Sequence, residues 1–188
     1  MKIFIVRHGQ DDDTVRGGWS DGSLTEFGVR QSEILADELA NDKEKYQIGK
    51  IYSSDLARAR QTAEIISERL DIPVEYSPLF REVNNGDLAG MKNDIAEKLY
   101  PNLFWRNLQW DERYPNGESP EEFYMRIIDA WHELVQNVSD CAGNVLLITH
   151  GGVINIIRCI VDGSEHSNTR KFPAAASAAI ALEAEISA

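Results

Sequence analysis

The chain has 188 residues, 43% of them apolar, and a formal net charge of −12 from 31 acidic and 19 basic side chains. That length and apolar content suit one domain, residues 1–188, with a full core. The acidic balance argues against a nucleic-acid partner and against an anionic membrane surface, because no Lys/Arg run is long enough to track phosphates.

The apolar run Ile3–Val6 predicts a buried strand over 2–6, and Arg7-His8-Gly9 leaves its end. Side chains released at the carboxyl ends of strands in an open α/β sheet face the ligand crevice, and a guanidinium beside an imidazole suits an anion. A polar, glycine-rich loop runs from Gly9 to Ser23, and a helix follows near 26–40 with Thr25 as its cap. Lys50–Ser53 reads as a short strand, Asp55 as an N-cap, and 56–70 as a helix whose core stripe is Leu56, Ala59, Ala63, Ile66 and Leu70.

Residues 71–118 are irregular and are expected to form a substrate-facing cap segment. They hold a strand near 74–79, a loop from Arg81 to Gly90, a helix near 93–100 and an aromatic stretch with Phe104, Trp105, Trp110 and Tyr114, read chiefly as cap packing. Ser119-Pro120-Glu121-Glu122 then opens a helix to about residue 138, with Ser119 and Glu122 spaced as a capping box. Val145–Ile148 is a continuous apolar run, as in a central strand buried on both faces, and it delivers His150 with Gly151-Gly152 into the next helix. An Ala-rich tail from Pro173 ends in a strand at Ile180–Glu183, although helix or fraying also fits the composition of 174–188. The alternation predicts a three-layer α/β/α sandwich around a mainly parallel sheet.

Two histidines thus leave the ends of two buried strands, and Arg58 sits in the first turn of a helix, where backbone amides favour anions. Phosphoryl transfer needs an in-line nucleophile, cations over the equatorial oxygens and a proton for the departing alkoxide. A neutral imidazole can attack phosphorus, and nearby guanidiniums disfavour imidazolium while gripping the phosphate. His132 and His166 read as structural or exposed. No metal-ligand set emerges, so neither a metal nor another cofactor is expected. Cys141 and Cys159 are expected as free thiols, and with Met1-Lys2 leading into a strand rather than a signal peptide the chain reads as cytoplasmic.

The motifs Phe4–Gln10 (FIVRHGQ), Leu24–Gly28 (LTEFG), Ser53–Ala63 (SSDLARARQTA), Arg81–Gly90 (REVNNGDLAG), Gly117-Glu118-Ser119 and Ile148–Gly152 (ITHGG) together resemble the histidine phosphatase superfamily, the phosphoglycerate mutase-like branch, in the family's order. The resemblance covers nearly the whole chain. It implies His8 as the phosphorylated nucleophile, Arg7 and Arg58 as the phosphate clamp, and His150 as a further positively charged or hydrogen-bonding contact. Glu82 would be the proton donor, later acting as base toward water, and Gly151 a phosphate contact through its amide. Where the family supplies an asparagine seven residues beyond the motif's arginine, this chain has Thr14, a hydroxyl donor for substrate. Gly18-Trp19 with Asp21 is similar to the mutases' glycine-tryptophan turn, on a loop about three residues shorter. Leu88-Ala89-Gly90 stands where phosphatase-like members carry Trp-Glu-Gly.

The implied activity is metal-independent hydrolysis of small phosphate monoesters through a phosphohistidine at His8. A mutase would need a longer segment after the proton donor, whereas Glu82 to Gly117 spans 35 positions. A non-catalytic phospholigand-binding module would have lost His8 or Glu82. Asp11-Asp12-Asp13-Thr14 is also similar to the aspartate signature of magnesium-dependent haloacid dehalogenase-like phosphatases. Its register is wrong, however, because four residues separate Val6 from Asp11, and the run reads as a solvated acidic turn.

Overall fold

Alternation along two strands sets the layering. In β1 (Lys2–Arg7) Ile3 and Ile5 enter one core while Phe4 and Val6 enter another, and in β4 (Asn144–Thr149) Val145 and Leu147 face the first while Leu146 and Ile148 face the second. Both faces of the sheet are therefore buried, and each such side chain contributes roughly 1.5–3 kcal/mol. The computed structural model describes residues 1–139, 141–169 and 180–186.

The remaining elements are α1 (Glu26–Asn41), α2 (Lys43–Tyr46), β2 (Ile48–Ser54), α3 (Ala57–Leu70), β3 (Val74–Ser77), α4 (Asn93–Leu99), α5 (Pro120–Val138), α6 (Gly151–Asp162) and β5 (Ile180–Glu185). The sheet order is β3-β2-β4-β1-β5, parallel except for β5, which runs antiparallel to β1. Helices α5 and α6 cover one face and α1 and α3 the other, giving the expected three-layer sandwich. Leu88, Leu108 and Tyr114 make a small third cluster that packs the stretch between β3 and α5 together with Val83, Tyr100, Leu103 and Trp105.

Local signals hold where they are short in range. Thr25 accepts from Gly28 N, and Ser119 and Glu122 close the capping box in both directions. Three expectations are corrected. Strand β2 begins at Ile48 rather than Lys50, and β3 ends at Ser77 because Pro78–Phe80 turns into a 3-10 helix. Leu56, not Asp55, occupies the N-cap position of α3 and makes no side-chain cap bond; the Asp55 carboxylate is held instead by Arg81 at 2.7 and 2.6 Å. Of the Ala-rich tail, residues 173–179 lie outside the described residues, and Ile180–Glu185 takes the strand option as β5. Cys141 and Cys159 are free thiols. Among the described residues no helix is long and apolar enough to cross a membrane.

Candidate active site

Strands β1 and β4 are parallel neighbours with Arg7 opposite Thr149, so His8 and His150 leave the sheet at the same level. The His8 amide donates to the Thr149 carbonyl at 3.0 Å, and the two imidazole centroids lie 5.0 Å apart, close to the roughly 4.8 Å between strands. His8 Nδ1 is 2.7 Å from the Gly9 carbonyl, which can only accept, so Nδ1 carries the hydrogen and Nε2 the lone pair. Gly9 is required here: a Cβ would stand 2.4 Å from the Gly28 carbonyl of α1, and its amide donates to Thr62 Oγ1 at 3.0 Å.

Burial pushes the His8 pKa down to about 3, assisted by Arg58 and Arg7 and opposed by the Gly9 hydrogen bond. The arginines favour the neutral imidazole as expected, but burial is the larger cause. His150 is fully buried, and burial, then Arg58, His8, Arg7 and Arg126, hold it well below its usual range. Burial and the neighbouring cations thus favour the neutral, hydrogen-bonding form of His150 in the anion-free site. Its Nε2 lies 2.8 Å from Ser54 Oγ, while Nδ1 has no hydrogen-bond partner among the described residues.

Stability should record these two neutral histidines. Unfolded, each binds a proton below about pH 6.5, so stability present above that pH is lost as the pH falls, by about 1.4 kcal/mol per unit for each group that stays neutral when folded, and for His8 this continues to about pH 3. Between pH 6.5 and 5 the carboxylates with lowered pKa values, Asp12, Asp55 and Glu122, stay ionised in both states, so this window isolates the imidazoles. Calorimetric melts over it are expected to show falling midpoints for the native chain and a shallower fall for His150→Gln. Equal slopes would contradict the assignment of a neutral His150.

Arg58, on the first turn of α3, is buried and reaches His8 Nε2 with Nε at 3.3 Å. Nη1 donates to the Ser20 carbonyl at 3.1 Å and its Oγ at 3.3 Å, and Nη2 to the Gly18 carbonyl at 2.7 Å. Gly18 makes that carbonyl available by a left-handed turn, φ 60°, in which a Cβ would strike Asn85. Asp11 corrects the solvated reading of the acidic run. Asp12 and Asp13 are exposed, but Asp11 turns inward and places Oδ2 3.4 Å from Arg58 Nε. Arg7 lies beside the start of α6, with Nε 4.0 Å from where a Cβ on Gly151 would be.

Helix α6 has His150 at its N-cap with no side-chain cap, and Glu82 supplies that contact from another segment. Its Oε2 accepts from Gly152 N at 3.0 Å and its Oε1 from Val83 N at 3.1 Å, which puts a carboxyl group at the positive end of the helix. A Cβ on Gly152 would lie 2.2 Å from Glu82 Oε1, so the second glycine of the pair makes room for the acid. The Glu82 carbonyl is held by Trp19 Nε1 at 2.6 Å and Arg126 Nη2 at 3.1 Å. Arg126 also holds the carbonyls of Leu79 and Arg81 and is braced by Glu118, while Arg81 stacks over Trp19 at 4.9 Å.

The structure therefore gathers Arg7, His8, Arg58, Glu82, His150, Gly18 and Gly151. It does not bring in Thr14, which is exposed and donates its hydroxyl to Asp12 at 2.7 Å. Sequence reasoning missed Asp11, Ser20, Ser54, Asn85 and Arg126, all of which act across long sequence separations. Adjoining the cluster is a cleft of about 370 Å³ whose walls include Gly18, Val83, Asn85, Phe104, Trp105 and Tyr114. Phe104 and Trp105 are thus cleft wall as well as packing, whereas Trp110 lies away from it against Tyr124 and His166. His132 is exposed. Among the described residues no cluster of His, Cys, Asp or Glu could hold a metal ion.

Comparison with known proteins gives a consistent picture. The profile of the histidine phosphatase superfamily (branch 1) matches residues 3–185. A probable phosphatase of Schizosaccharomyces pombe is 34% identical over 162 residues, covering 84% of this chain and 72% of the relative. A 2,3-bisphosphoglycerate-dependent phosphoglycerate mutase of Nitrobacter hamburgensis is 31% identical over 170 residues, covering 85% and 78%. Among solved structures, a mycobacterial glucosyl-3-phosphoglycerate phosphatase in complex with VO3 superposes with a TM-score of 0.78 at 28% identity, covering 94% of this chain and 89% of that one.

Proposed function

Since the chain belongs to the histidine phosphatase superfamily, branch 1, we propose that the His8 cluster hydrolyses small phosphate monoesters, without a metal, through a phosphohistidine. The observation that carries this reading is the state of His8. Its Nδ1 hydrogen is committed to Gly9, its pKa is near 3, and the Nε2 lone pair meets the guanidinium that would bind the phosphate.

In the first half-reaction Arg7 and Arg58 hold the nonbridging oxygens, and His150 adds a hydrogen bond from its unpartnered nitrogen. The Nε2 lone pair forms the P–N bond as the ester P–O bond breaks, and Glu82 in its acid form gives its proton to the departing oxygen. In the second half-reaction Glu82, now the base, takes a proton from water. The oxygen attacks phosphorus, the P–N bond breaks, and inorganic phosphate leaves. A mutase would instead return the phosphoryl group to another hydroxyl. A time course of inorganic phosphate release from a panel of monoesters, run beside a phosphoglycerate isomerisation assay, separates the two. Phosphate in stoichiometric yield supports hydrolysis, and isomerisation without release would replace it.

Asp11 should oppose binding. Its carboxylate occupies the guanidinium that the phosphate needs, so a dianion must compete with it. We expect Asp11→Asn to lower KM for phosphate esters, and the inhibition constant of inorganic phosphate with it, by about threefold or more, an effect under about 1 kcal/mol. A raised KM would instead make Asp11 a support that holds Arg58 in place.

A further inference from the structure

A proton donor serves a departing oxygen only from a fixed place, and a displacement of about 1 Å can cost about 10²-fold in rate. The stretch that carries Glu82 has no regular structure of its own to fix it. It leaves the 3-10 helix at Pro78–Phe80 and stays outside helix and strand until Gly86–Leu88, so its backbone groups need partners from elsewhere.

Helix α5 supplies them. Phe123 and Ile127 root this part of the helix in the core, and the Arg126 guanidinium lies 5.1 Å from the Phe123 ring centre. Its five N–H donors meet five acceptors. Nη1 donates to the carbonyls of Leu79 at 2.7 Å and Arg81 at 3.0 Å, Nη2 to the Glu82 carbonyl at 3.1 Å and Glu118 Oε2 at 2.9 Å, and Nε to Glu118 Oε1 at 2.7 Å. Glu118 works from the other side. Its Oε2 also accepts from the Asn84 amide at 2.8 Å, and its own amide donates to the Asn84 carbonyl at 2.8 Å. The backbone is thus held on both sides of Glu82. With its donors spent on the protein, Arg126 has none left for a phosphate.

The carboxyl end of Glu82 cannot anchor the residue through the reaction. Its bonds from the Gly152 and Val83 amides are charge-assisted while it is a carboxylate, and one weakens when the proton for the leaving group sits on that oxygen. The clamp on the backbone does not involve that proton and is the same in both half-reactions. A group that gives and takes a proton in place needs an anchor of this second kind. An ordinary brace between α5 and the loop would make the same bonds, and the two differ in what a substitution costs.

We propose that Arg126, oriented by Glu118, is a positioning residue that holds Glu82 where the departing oxygen needs its proton. This rests on the phosphatase reading of the His8 cluster, with Glu82 as its acid. The test follows kcat/KM for butyl phosphate, whose alkoxide needs a proton, and for nitrophenyl phosphate, whose phenolate leaves without one. The full chain is compared with Arg126→Met, Arg126→Lys, Glu82→Gln and the double variant Arg126→Met/Glu82→Gln. The readout is the alkyl-to-aryl ratio within each protein, in which loss of folded material cancels.

Arg126→Met is expected to lower that ratio about tenfold or more, the scale of a displaced acid. Arg126→Lys should lower it nearly as far, because an ammonium keeps the charge but cannot span the carbonyls of three residues and a carboxylate. On the Glu82→Gln background the Arg126 substitution should lower it no further, since an acid that is absent cannot be misplaced. An unchanged ratio in folded Arg126→Met, a native ratio in Arg126→Lys, or a further fall of about tenfold in the double variant overturns the proposal.

If Glu82→Gln keeps the native ratio, or neither ester is hydrolysed, the reading of Glu82 as acid fails, and amide exchange judges the clamp on its own. The Gly152 amide lies in the first turn of α6, where no intrahelical carbonyl reaches it, so its protection reports Glu82 Oε2. Its exchange should quicken by about tenfold or more in Arg126→Met, while that of Ile154, bonded to the His150 carbonyl in the same helix, keeps its native rate. Native protection of Gly152 in the variant, or quickening of both amides together, overturns the proposal.

Discussion

We expect His8→Ala to abolish the phosphoenzyme and to lower kcat/KM toward nitrophenyl phosphate by roughly four orders of magnitude or more, as loss of a covalent nucleophile does. No neighbouring group can substitute. His150 lies 5.0 Å away, ring to ring, with its Nε2 engaged by Ser54, and Arg58 is a cation with no lone pair to offer. The native chain, mixed briefly with ester and quenched in alkali, should hold phosphate in a bond that survives base and breaks in acid, the behaviour of a phosphorus–nitrogen bond. The variant should hold none. A folded His8→Ala protein that turned over at a tenth of the native rate would remove His8 from the nucleophile role. Because the His8 pKa is near 3, its protonation should not limit native activity down to about pH 4, so an acid limb above that pH belongs to another group.

What could be foreseen divides by the range of the interaction. Strands β1 and β4 were legible because a strand buried on both faces must be apolar throughout, and their histidines were legible because each stands within two residues of such a strand's last apolar position. The cap of α5 was legible because its partners are three residues apart. Asp55 failed as a cap for the opposite reason. The local rule offers it to the helix, but Arg81, 26 positions on, binds it in a bidentate pair worth more than one capping bond. Asp11 was misread in the same way. Its neighbours Asp12 and Asp13 are solvated, and only the fold brings Arg58 to it. Gly152 carries no local signal of its role, because the group that fills the space of its missing Cβ is Glu82, from a distant segment. The elements and the candidate site residues are therefore written locally. Their orientation is written in distant contacts, such as that of Asp55 with Arg81, 26 positions apart, and that of Glu82 with the Gly152 amide, 70 positions apart.

Glu82→Gln is the second large effect, and its size should depend on the ester. An alkyl phosphate expels a strongly basic alkoxide and needs a proton as the bond breaks, so kcat/KM should fall by about 10²- to 10⁴-fold. Nitrophenolate leaves without one, and for its ester kcat/KM should fall by less than about tenfold, since that parameter ends with release of the first product. The second half-reaction is shared by both esters and loses its base. With nitrophenyl phosphate the variant should therefore show a burst of nitrophenolate, equal to the enzyme present, followed by slow turnover and an accumulated phosphoenzyme. Glutamine keeps the shape but places an amide NH₂ toward one of the donors at Gly152 and Val83, so one of those bonds is lost and some affinity with it. That loss weighs on both esters alike and cancels in their ratio. Equal losses on the two esters, with no burst, would leave Glu82 as a brace for α6 and move the proton donor elsewhere in the cleft.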